Sequence, residues 1–320
     1  MPCLRSNRRP RGFVLVAVLW VIAALALLVA AAVYAVRIDT RQAFVTLTSA
    51  RAEALLDGAL TLAAAELAAN AQAMPTAPTV REYTLEGERI QVDILRTAGF
   101  ISLNSAPPEL LQKLFQHGAG LDEATSRQLA ARVVDWRDAD DTPQPDGAEA
   151  ADYLAAGLPP PRNGAFLDEA DLAQVLGITA DVHDRIRPLL IAEAGSGAGG
   201  VNAYAAEAPV LTVLADGNAA QVARLLEVRE RFRDRANVDE ALTAFNNVSP
   251  PLAFNLPWVH PRFRLRAHWQ APSENGAPQV RWLRVAEVAI QNNPQNTGGP
   301  PWQWFNIVAL QREPAPAAPE

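Results

Sequence analysis

The pattern of hydrophobic positions begins with an uninterrupted apolar run near the N-terminus. No charged residue lies between Phe13 and Val36, a stretch of 24 residues, and four arginines come shortly before it. As an α-helix this stretch would be roughly 36 Å long, enough to cross a hydrocarbon core about 30 Å thick. The pattern therefore predicts a membrane-spanning helix. Because the arginines precede the run and the first acid is Asp39, the positive-inside rule predicts a cytoplasmic N-terminus, with the remaining chain across the membrane.

The helical pattern continues beyond the apolar run. Between Arg37 and Asn70 there is no proline, and good helix formers dominate. Apolar residues recur there at near-helical spacing, at Phe44, Leu47, Leu55 and Leu62. Prolines 75 and 78 then close the pattern. The sequence therefore predicts one long transmembrane and spine helix over residues 13–74.

Three interpretations of the N-terminal segment are open from its pattern alone. A cleaved signal peptide fits the small residues 30–32, although its apolar core would be unusually long. A plain membrane anchor fits the length. The third interpretation is a type IV pilin-like leader at residues 1–12, because Gly12 follows basic residues and Phe13 opens the apolar helix. This arrangement resembles a prepilin peptidase site and predicts cleavage between Gly12 and Phe13.

Strand-like patterns lie on either side of a long helical region. Residues 80–97 carry apolar positions broken by a Glu-Gly-Glu turn, which predicts a β-hairpin, and further strands are predicted at 263–269, 280–290 and 302–310. The sequence thus predicts an α+β fold, a type IV pilin-like fold in which the long helix packs on a small antiparallel sheet. The predicted segments are the first part of the sheet domain at 75–98, an inserted α-helical domain at 99–248, the second part of the sheet domain at 249–312, and a disordered Pro/Ala tail at 313–320.

The helical region contains an internal repeat. Ala106, Leu110, Leu111 and Leu114 recur 100 residues later as Ala206, Val210, Leu211 and Leu214. The segment from Val133 to Arg137 likewise resembles the segment from Leu225 to Arg229. Each copy has the pattern of three or four short helices, similar to helix-hairpin-helix or SAM-like modules.

Comparison of the two copies isolates an acidic segment. The first copy has 28 residues between Arg137 and Phe166, whereas the second has two residues between Arg229 and Phe232. The first 15 residues of this segment contain six acids and no base. The six acids are Asp138, Asp140, Asp141, Asp146, Glu149 and Asp152.

Two interpretations of this acidic segment are open. Carboxylates at this density repel one another unless water or a cation separates them, so a solvated acidic loop is the simpler interpretation. The alternative is a Ca²⁺ site holding one or two structural ions, since calcium prefers hard oxygen ligands and Pro143, Pro145 and Gly147 bend the chain. The segment is not an EF-hand loop, because Pro143 occupies the position that requires glycine.

Composition restricts the classes of function. The formal charge is −7, and residues 99–200 carry 16 acids against 7 bases, which disfavours nucleic-acid binding because phosphate contacts would be repulsive. The single cysteine, Cys3, lies in the predicted leader, so the exported part has no disulfide. The four histidines form no metalloprotease motif, and no nucleophile-elbow or P-loop pattern occurs. The sequence therefore favours a protein that is not an enzyme.

Tryptophan is concentrated near the C-terminus. Five of the seven tryptophans, at positions 258, 269, 282, 302 and 304, lie in the last 65 residues. They are interpreted either as the core of the small sheet domain or as an aromatic interface, since tryptophan is enriched at binding hot spots.

Several of these motifs together resemble the general secretion pathway protein K family, the large minor pseudopilins of the type II secretion system. The leader motif Arg11-Gly12-Phe13 fits that family's processing site. The most specific match is Asp135-Trp136-Arg137-Asp138-Ala139-Asp140 followed by Gly147-Ala148-Glu149-Ala150-Ala151-Asp152-Tyr153. Residues 101–111, 161–166 and 201–202 are also similar to the family pattern.

The resemblance implies a pilin-like fold with an inserted α-helical domain and a place at the tip of a short periplasmic pseudopilus. It implies Ca²⁺ bound by Asp138, Asp140, Asp141, Glu149 and Asp152, with Asp146 as a further candidate. The implied partners are the I-type and J-type minor pseudopilins, through the spine helix and the sheet domain, together with a prepilin peptidase and the inner membrane. The mature chain would begin at Phe13 and carry N-terminal methylation.

The function expected from sequence is therefore to nucleate or cap the pseudopilus during export of folded proteins. Ala17, the fifth residue after the expected cleavage site, supports the tip position. Most pilins carry a glutamate there, which meets the terminal ammonium of a neighbouring subunit, and a subunit without this glutamate need not lie beneath another. The alternative interpretation is a membrane-anchored periplasmic Ca²⁺-dependent binding module outside any fibre.

Overall fold

The computed structural model describes residues 11–70, 74–193, 199–233, 238–256, 260–271, 280–291 and 299–314. Most of the predicted leader, including Cys3, lies outside the described residues, as do Trp258 and most of the predicted tail. The chain divides into two units, Met1–Leu55 and Leu56–Glu320.

The first long element, helix α1, runs from Arg11 to Ala69 over 59 residues. Among the described residues, the segment Leu15–Ala35 is the one stretch long and apolar enough to cross a membrane, with a mean hydropathy of 2.9 and none of its surface buried. Such a continuously apolar and exposed helix fits a transmembrane anchor. The predicted helix over residues 13–74 corresponds to this helix, which ends at Ala69.

The second unit contains seven further α-helices among the described residues. Their bounds are α2 Pro108–Lys113, α3 Glu123–Arg137, α4 Ala150–Ala155, α5 Ala180–Ile186, α6 Ala208–Leu214, α7 Ala219–Arg231 and α8 Val238–Asn246. A 3-10 helix at Glu169–Gln174 lies between α4 and α5. Most of these helices are short, and Asp122, Thr179 and Asn218 cap α3, α5 and α7 by accepting a hydrogen bond from a first-turn N–H.

The strands also lie in the second unit. Their bounds are β1 Thr79–Leu85, β2 Glu88–Arg96, β3 Ile101–Ser102, β4 Leu190–Ile191, β5 Arg262–Gln270, β6 Val280–Ile290, β7 Trp302–Ile307 and β8 Gln311–Pro314. Six of them form a sheet in the order β1-β2-β5-β6-β7, and β8 pairs with the first residues of β6. Each of the described pairings in this sheet is antiparallel. The predicted hairpin and the predicted C-terminal strands are therefore confirmed.

The sheet joins parts of the chain that are distant in sequence. Strand β2 pairs with β5 in a register that places Ile94 opposite Leu265, so helices α2–α8 lie in the connection between two neighbouring strands. The last turns of α1 contact the sheet within the same unit, because Tyr83 donates a hydrogen bond to Glu66 at 2.7 Å and Arg284 lies 3.0 Å from Asp57. The fold is thus a mixture of helices with an antiparallel sheet, as predicted.

The helical part has an apolar core of its own, and both predicted repeats contribute to it. Members from the first half are Leu110, Leu114, Phe115, Leu129 and Val133, and members from the second half are Val210, Leu211, Leu214, Leu225 and Phe245. Because these residues form one contiguous cluster, the two halves are packed together.

Candidate functional site

The acidic segment begins where α3 ends, and a buried aspartate holds it there. Asp135, in the last turn of α3, has no exposed surface. Its carboxylate accepts hydrogen bonds from the backbone N–H of Gln144 at 3.1 Å and of Ala148 at 2.7 Å. These two bonds fold the proline-rich loop back onto the helix end.

Gly147 lies against the same carboxylate. A Cβ atom at this position would overlap the Asp135 Oδ2 atom and would also lie 2.9 Å from the carbonyl oxygen of Gln144. The loop therefore requires a residue without a side chain here, which gives a physical reason for the glycine in the acidic motif.

Three of the predicted calcium ligands lie close to this anchor in the chain. Asp138 is half-buried, and its Oδ1 atom has no hydrogen-bond partner. Asp140 and Asp141 are exposed: Asp140 accepts a hydrogen bond from the N–H of Thr142 at 2.8 Å, and Asp141 accepts one from the Asn163 side chain at 2.8 Å.

Glu149 is the buried member of the predicted set. It is 5% exposed, and neither of its carboxylate oxygens has a hydrogen-bond partner. Its own backbone N–H donates to Asp152 Oδ2 at 3.0 Å, which places Asp152 at the start of α4. A buried carboxylate without donors is costly, so Glu149 needs either a proton or a cation.

Asp146 is placed differently from the other predicted ligands. Its carboxylate accepts a hydrogen bond from the Arg127 guanidinium at 3.2 Å, and its backbone has a positive φ of 67°. Since a cation already neutralises it, Asp146 is the least suited of the six predicted residues to bind a metal ion.

Two carboxylates of the segment, those of Glu149 and Asp138, have a raised pKa. Burial raises the pKa of Glu149 to about 7, and the charges of Asp135, Asp138, Asp141 and Asp140 add to this shift. Burial and the charges of Asp140 and Asp135 also raise the pKa of Asp138, while Arg137 acts in the opposite direction. The segment is therefore an electrostatically unfavourable group of acids when no counter-ion is present.

Asn163 is a candidate ligand that the sequence interpretation did not include. Its side-chain N–H groups donate to the Asp140 carbonyl oxygen at 3.2 Å and to Asp141, whereas its amide oxygen is buried without a partner. Its backbone has a positive φ of 48°. The signal in the sequence was the Asn-Gly pair at 163–164, which is typical of a tight turn.

These residues supply hard oxygen donors, which suit calcium. The unpaired oxygens of Asp138, Glu149 and Asn163 are compatible with a cation in this segment. In the part of the chain that the structure describes, no three histidine, cysteine, aspartate or glutamate side chains are arranged so that they could hold a metal ion. Calcium binding therefore stays a prediction.

The predicted processing residues lie in α1. Gly12 and Phe13 follow its first residue, Arg11, at the edge of the described part of the chain. The cleavage between them also stays a prediction.

Comparison with known proteins agrees with the motifs. The family model described as type II secretion system (T2SS), protein K, matches residues 92–194, a range that includes the whole acidic segment. This match confirms the resemblance to the protein K family. No curated protein sequence matches the chain.

Among solved structures, the fold is similar to a chain in the crystal structure of the GspK-GspI-GspJ complex from the type II secretion system of enterotoxigenic Escherichia coli. The TM-score is 0.51 at 18% sequence identity, and the likeness covers 87% of this chain and 100% of that chain. At this level of identity the likeness concerns the fold.

Proposed function

We propose, from the match of residues 92–194 to the type II secretion protein K family, that this chain is a minor pseudopilin of a type II secretion system. It is an assembly protein and has no catalytic role. The apolar segment Leu15–Ala35 anchors it once in the inner membrane, with its N-terminus in the cytoplasm and the second unit in the periplasm. The family match carries this proposal, and the fold likeness supports it.

The finer proposal is that the chain nucleates or caps the tip of the pseudopilus and so supports export of folded proteins. Its partners are the I-type and J-type minor pseudopilins, which contact α1 and the sheet. The similar chain comes from a complex that contains GspI and GspJ, which supports this choice of partners. A pilin-like arrangement is supported by the last turns of α1, which contact the sheet, and by the helical region between neighbouring strands β2 and β5.

Ala17 supports the tip position by a physical argument. An alanine in the membrane-spanning segment provides no carboxylate for the terminal ammonium of a neighbouring subunit. A charge in lipid without a partner is unfavourable. Because Ala17 carries no charge, this subunit does not need the terminal ammonium of a subunit above it in the fibre.

The proposed role of calcium is structural. Asp138, Asp140, Asp141, Glu149, Asp152 and Asn163 are the residues that would hold it, and Asp146 stays with Arg127. The ion would supply positive charge to carboxylates that lack donors. The chain itself holds the loop in place, through the two hydrogen bonds that Asp135 accepts and the close approach of Gly147.

Intact-mass and N-terminal analysis of the chain from membranes, with and without a prepilin peptidase, tests the proposal first. We expect a mature chain that begins at Phe13, carries N-methylation and depends on the peptidase. An intact N-terminus in the presence of the peptidase would favour an anchored binding module outside any fibre. A cut near Ala32 would show a signal peptide and would refute the pseudopilin function.

The tip position requires a second experiment. An Ala17→Glu variant introduces the carboxylate that a shaft subunit uses, and Ala17→Gln is the control of similar size without charge. We expect Ala17→Glu to reduce secretion or assembly more than Ala17→Gln does. Equal secretion by both variants, together with cross-links along the shaft, would contradict the tip position.

A further inference from the structure

A cavity of about 470 Å³ lies between the helical part and the sheet, within the second unit. Its helical wall comes from the segments around the 3-10 helix Glu169–Gln174 and after β4, and its sheet wall from β5, β6 and β7. Residues that line it include Leu167, Glu169, Glu193, Arg262, Glu287 and Phe305. None of the six acids of the acidic segment lines it, and the function proposed above does not use it.

The cavity carries more negative than positive charge. Four carboxylates line it, those of Asp168, Glu169, Glu193 and Glu287, with one guanidinium, that of Arg262, which pairs with Glu193. Behind the wall, Arg264 is shared by Glu169 at 2.8 Å and Glu287 at 2.6 Å. Two guanidiniums therefore face four carboxylates.

Two further titratable groups lie at this cavity or beside it. His260 lies 3.6 Å from Glu193, and burial lowers the pKa of its imidazole while the charge of Glu193 acts in the opposite direction. Burial raises the pKa of Glu287, and the charges of Glu169 and Glu193 contribute to this while Arg264 opposes it. The excess of carboxylates over guanidiniums is therefore the feature that favours an additional cation in the cavity.

The mouth of the cavity is apolar. Leu167 is 77% exposed and Phe305 is 52% exposed. Phe305 is a bulge residue, because Glu287 pairs with Asn306 while the next residue of β6 pairs with Trp304. A bulge redirects a side chain, and the Phe305 ring lies 4.8 Å from the Arg262 guanidinium.

Strand β7 is also a free edge. It ends the strand order, and within the described ranges no strand pairs with its outer side. The six residues of β7 include no charged side chain, whereas β1, at the opposite edge, carries Arg81 and Glu82. Proteins usually protect an exposed edge with charges, so an uncharged edge beside a cavity is suited to strand addition by another chain.

We propose that an extended segment of a partner polypeptide pairs with the edge of β7 and inserts an arginine or lysine side chain into this cavity. The basic group lies among the carboxylates, and an apolar neighbour of the inserted residue contacts Phe305 and Leu167. Because the cavity is negatively charged, the inserted side chain must be positively charged. Because the edge of β7 is free to pair, the backbone of the partner segment must be extended. The proposal does not depend on assembly into a fibre.

Fluorescence anisotropy with a labelled peptide and the full chain in detergent tests this directly. The probe is a short peptide of alternating threonine and valine with one central arginine. The matched peptides replace the arginine by citrulline, which is similar in shape but neutral, or N-methylate alternate backbone nitrogens. We expect the arginine peptide to bind about tenfold more tightly than the citrulline peptide, to weaken with added salt, and to lose binding on N-methylation.

Variants of the protein locate the binding. Phe305→Ala removes an exposed side chain at the mouth, and Leu154→Ala removes a similarly exposed side chain, 65% exposed, on α4. We expect the first to weaken binding about fivefold or more and the second to leave it unchanged. No binding of the arginine peptide, equal binding of the citrulline peptide, equal binding of the N-methylated peptide, or equal effects of the two variants would each overturn the proposal.

Discussion

Arg137 and Arg229 make similar contacts in the two halves of the helical part. The Arg137 guanidinium donates to the carbonyl oxygens of Leu103 and Ala106, the latter at 2.7 Å, and the Arg229 guanidinium donates to those of Tyr204 at 3.2 Å and Ala206. Arg137 is the last residue of α3, Arg229 lies two residues before the end of α7, and each accepting segment precedes the first helix of its half. Burial lowers the pKa of both guanidiniums.

Replacement of either arginine should therefore destabilise the second unit strongly. Arg229→Met leaves the two carbonyl oxygens without their charged donor, and we expect the free energy of unfolding to fall by about 2–4 kcal/mol. The control is Arg231→Met in the same helix, where an exposed arginine makes an i,i+4 pair with Glu227, and the expected loss is about 0.5 kcal/mol or less. Denaturant unfolding of the full chain in detergent, followed by tryptophan fluorescence, compares the two. Similar losses would show that the carbonyl contacts have little energetic importance.

This equivalence was visible in the sequence, because the segment ending at Arg137 resembles the segment ending at Arg229. The strands were also predictable, since β5 and β6 alternate in period two and loops rich in Pro, Gly and Asn separate the C-terminal strands. The pairing of Ile94 with Leu265 was not, because a register across such a separation depends on tertiary packing.

The candidate site was predictable in its residue types but only partly in its contacts. The density of acids marked the segment, yet the pattern could not show that Asp146 pairs with Arg127, which lies on α3. It also could not show that the amide oxygen of Asn163 is left without a donor. Both facts depend on how the loop folds back onto Asp135. This folding brings together residues that are separated along the chain, so the sequence pattern alone does not reveal these contacts.

Gly147 provides a test of the loop geometry. Gly147→Ala places a methyl group against the Asp135 carboxylate, so the loop must shift and lose hydrogen bonds to Asp135. We expect a loss of about 1–3 kcal/mol in stability, the range for a buried carboxylate left without a donor. Gly164→Ala is the matched control, because a Cβ there meets no atom closer than 3.8 Å. Thermal unfolding of both variants decides the question, and a Gly147→Ala protein as stable as Gly164→Ala would contradict the loop geometry.

Arg264 provides a test of how the helical part is attached to the sheet. This 8% exposed side chain pairs with Glu169 and Glu287 and also donates to the Leu190 carbonyl oxygen at 2.9 Å. Arg264→Met would leave the buried carboxylate of Glu169 and the half-buried carboxylate of Glu287 without their cation, and we expect a loss of about 3–5 kcal/mol.

A rescue experiment separates the charge effect from packing. Addition of Glu169→Gln and Glu287→Gln to Arg264→Met removes the unpaired charges and should restore a large part of the lost stability. Denaturant unfolding of the single and triple variants measures this recovery. If the triple variant were no more stable than Arg264→Met, the loss would come from packing and hydrogen bonding.

Glu149 makes the stability of the second unit dependent on pH. Its pKa is about 7 in the folded chain against an ordinary value of 4.5, so between these values the folded state holds a proton that the unfolded state releases. The free energy of unfolding should therefore decrease as pH rises from about 4.5 to 7 in the presence of a chelator. Glu149→Gln, which cannot ionise, should flatten this dependence, whereas Asp146→Asn should keep it because Asp146 already pairs with Arg127.

Millimolar calcium should reverse the effect of pH if the acidic segment binds the ion. Calcium binds the ionised carboxylate, so stability should then rise with pH over the same window and the melting temperature at pH 7 should increase by several degrees. Glu149→Gln should lose most of this increase, and Asp146→Asn should retain it, since the proposed ligand set includes the first residue and excludes the second. Melting temperatures of the three proteins with calcium, with magnesium and with chelator provide the comparison. A wild-type chain with the same melting temperature in calcium and in chelator would refute the metal site and leave a solvated acidic loop. If both variants lost the calcium-dependent increase in melting temperature equally, the ion would bind at other oxygens.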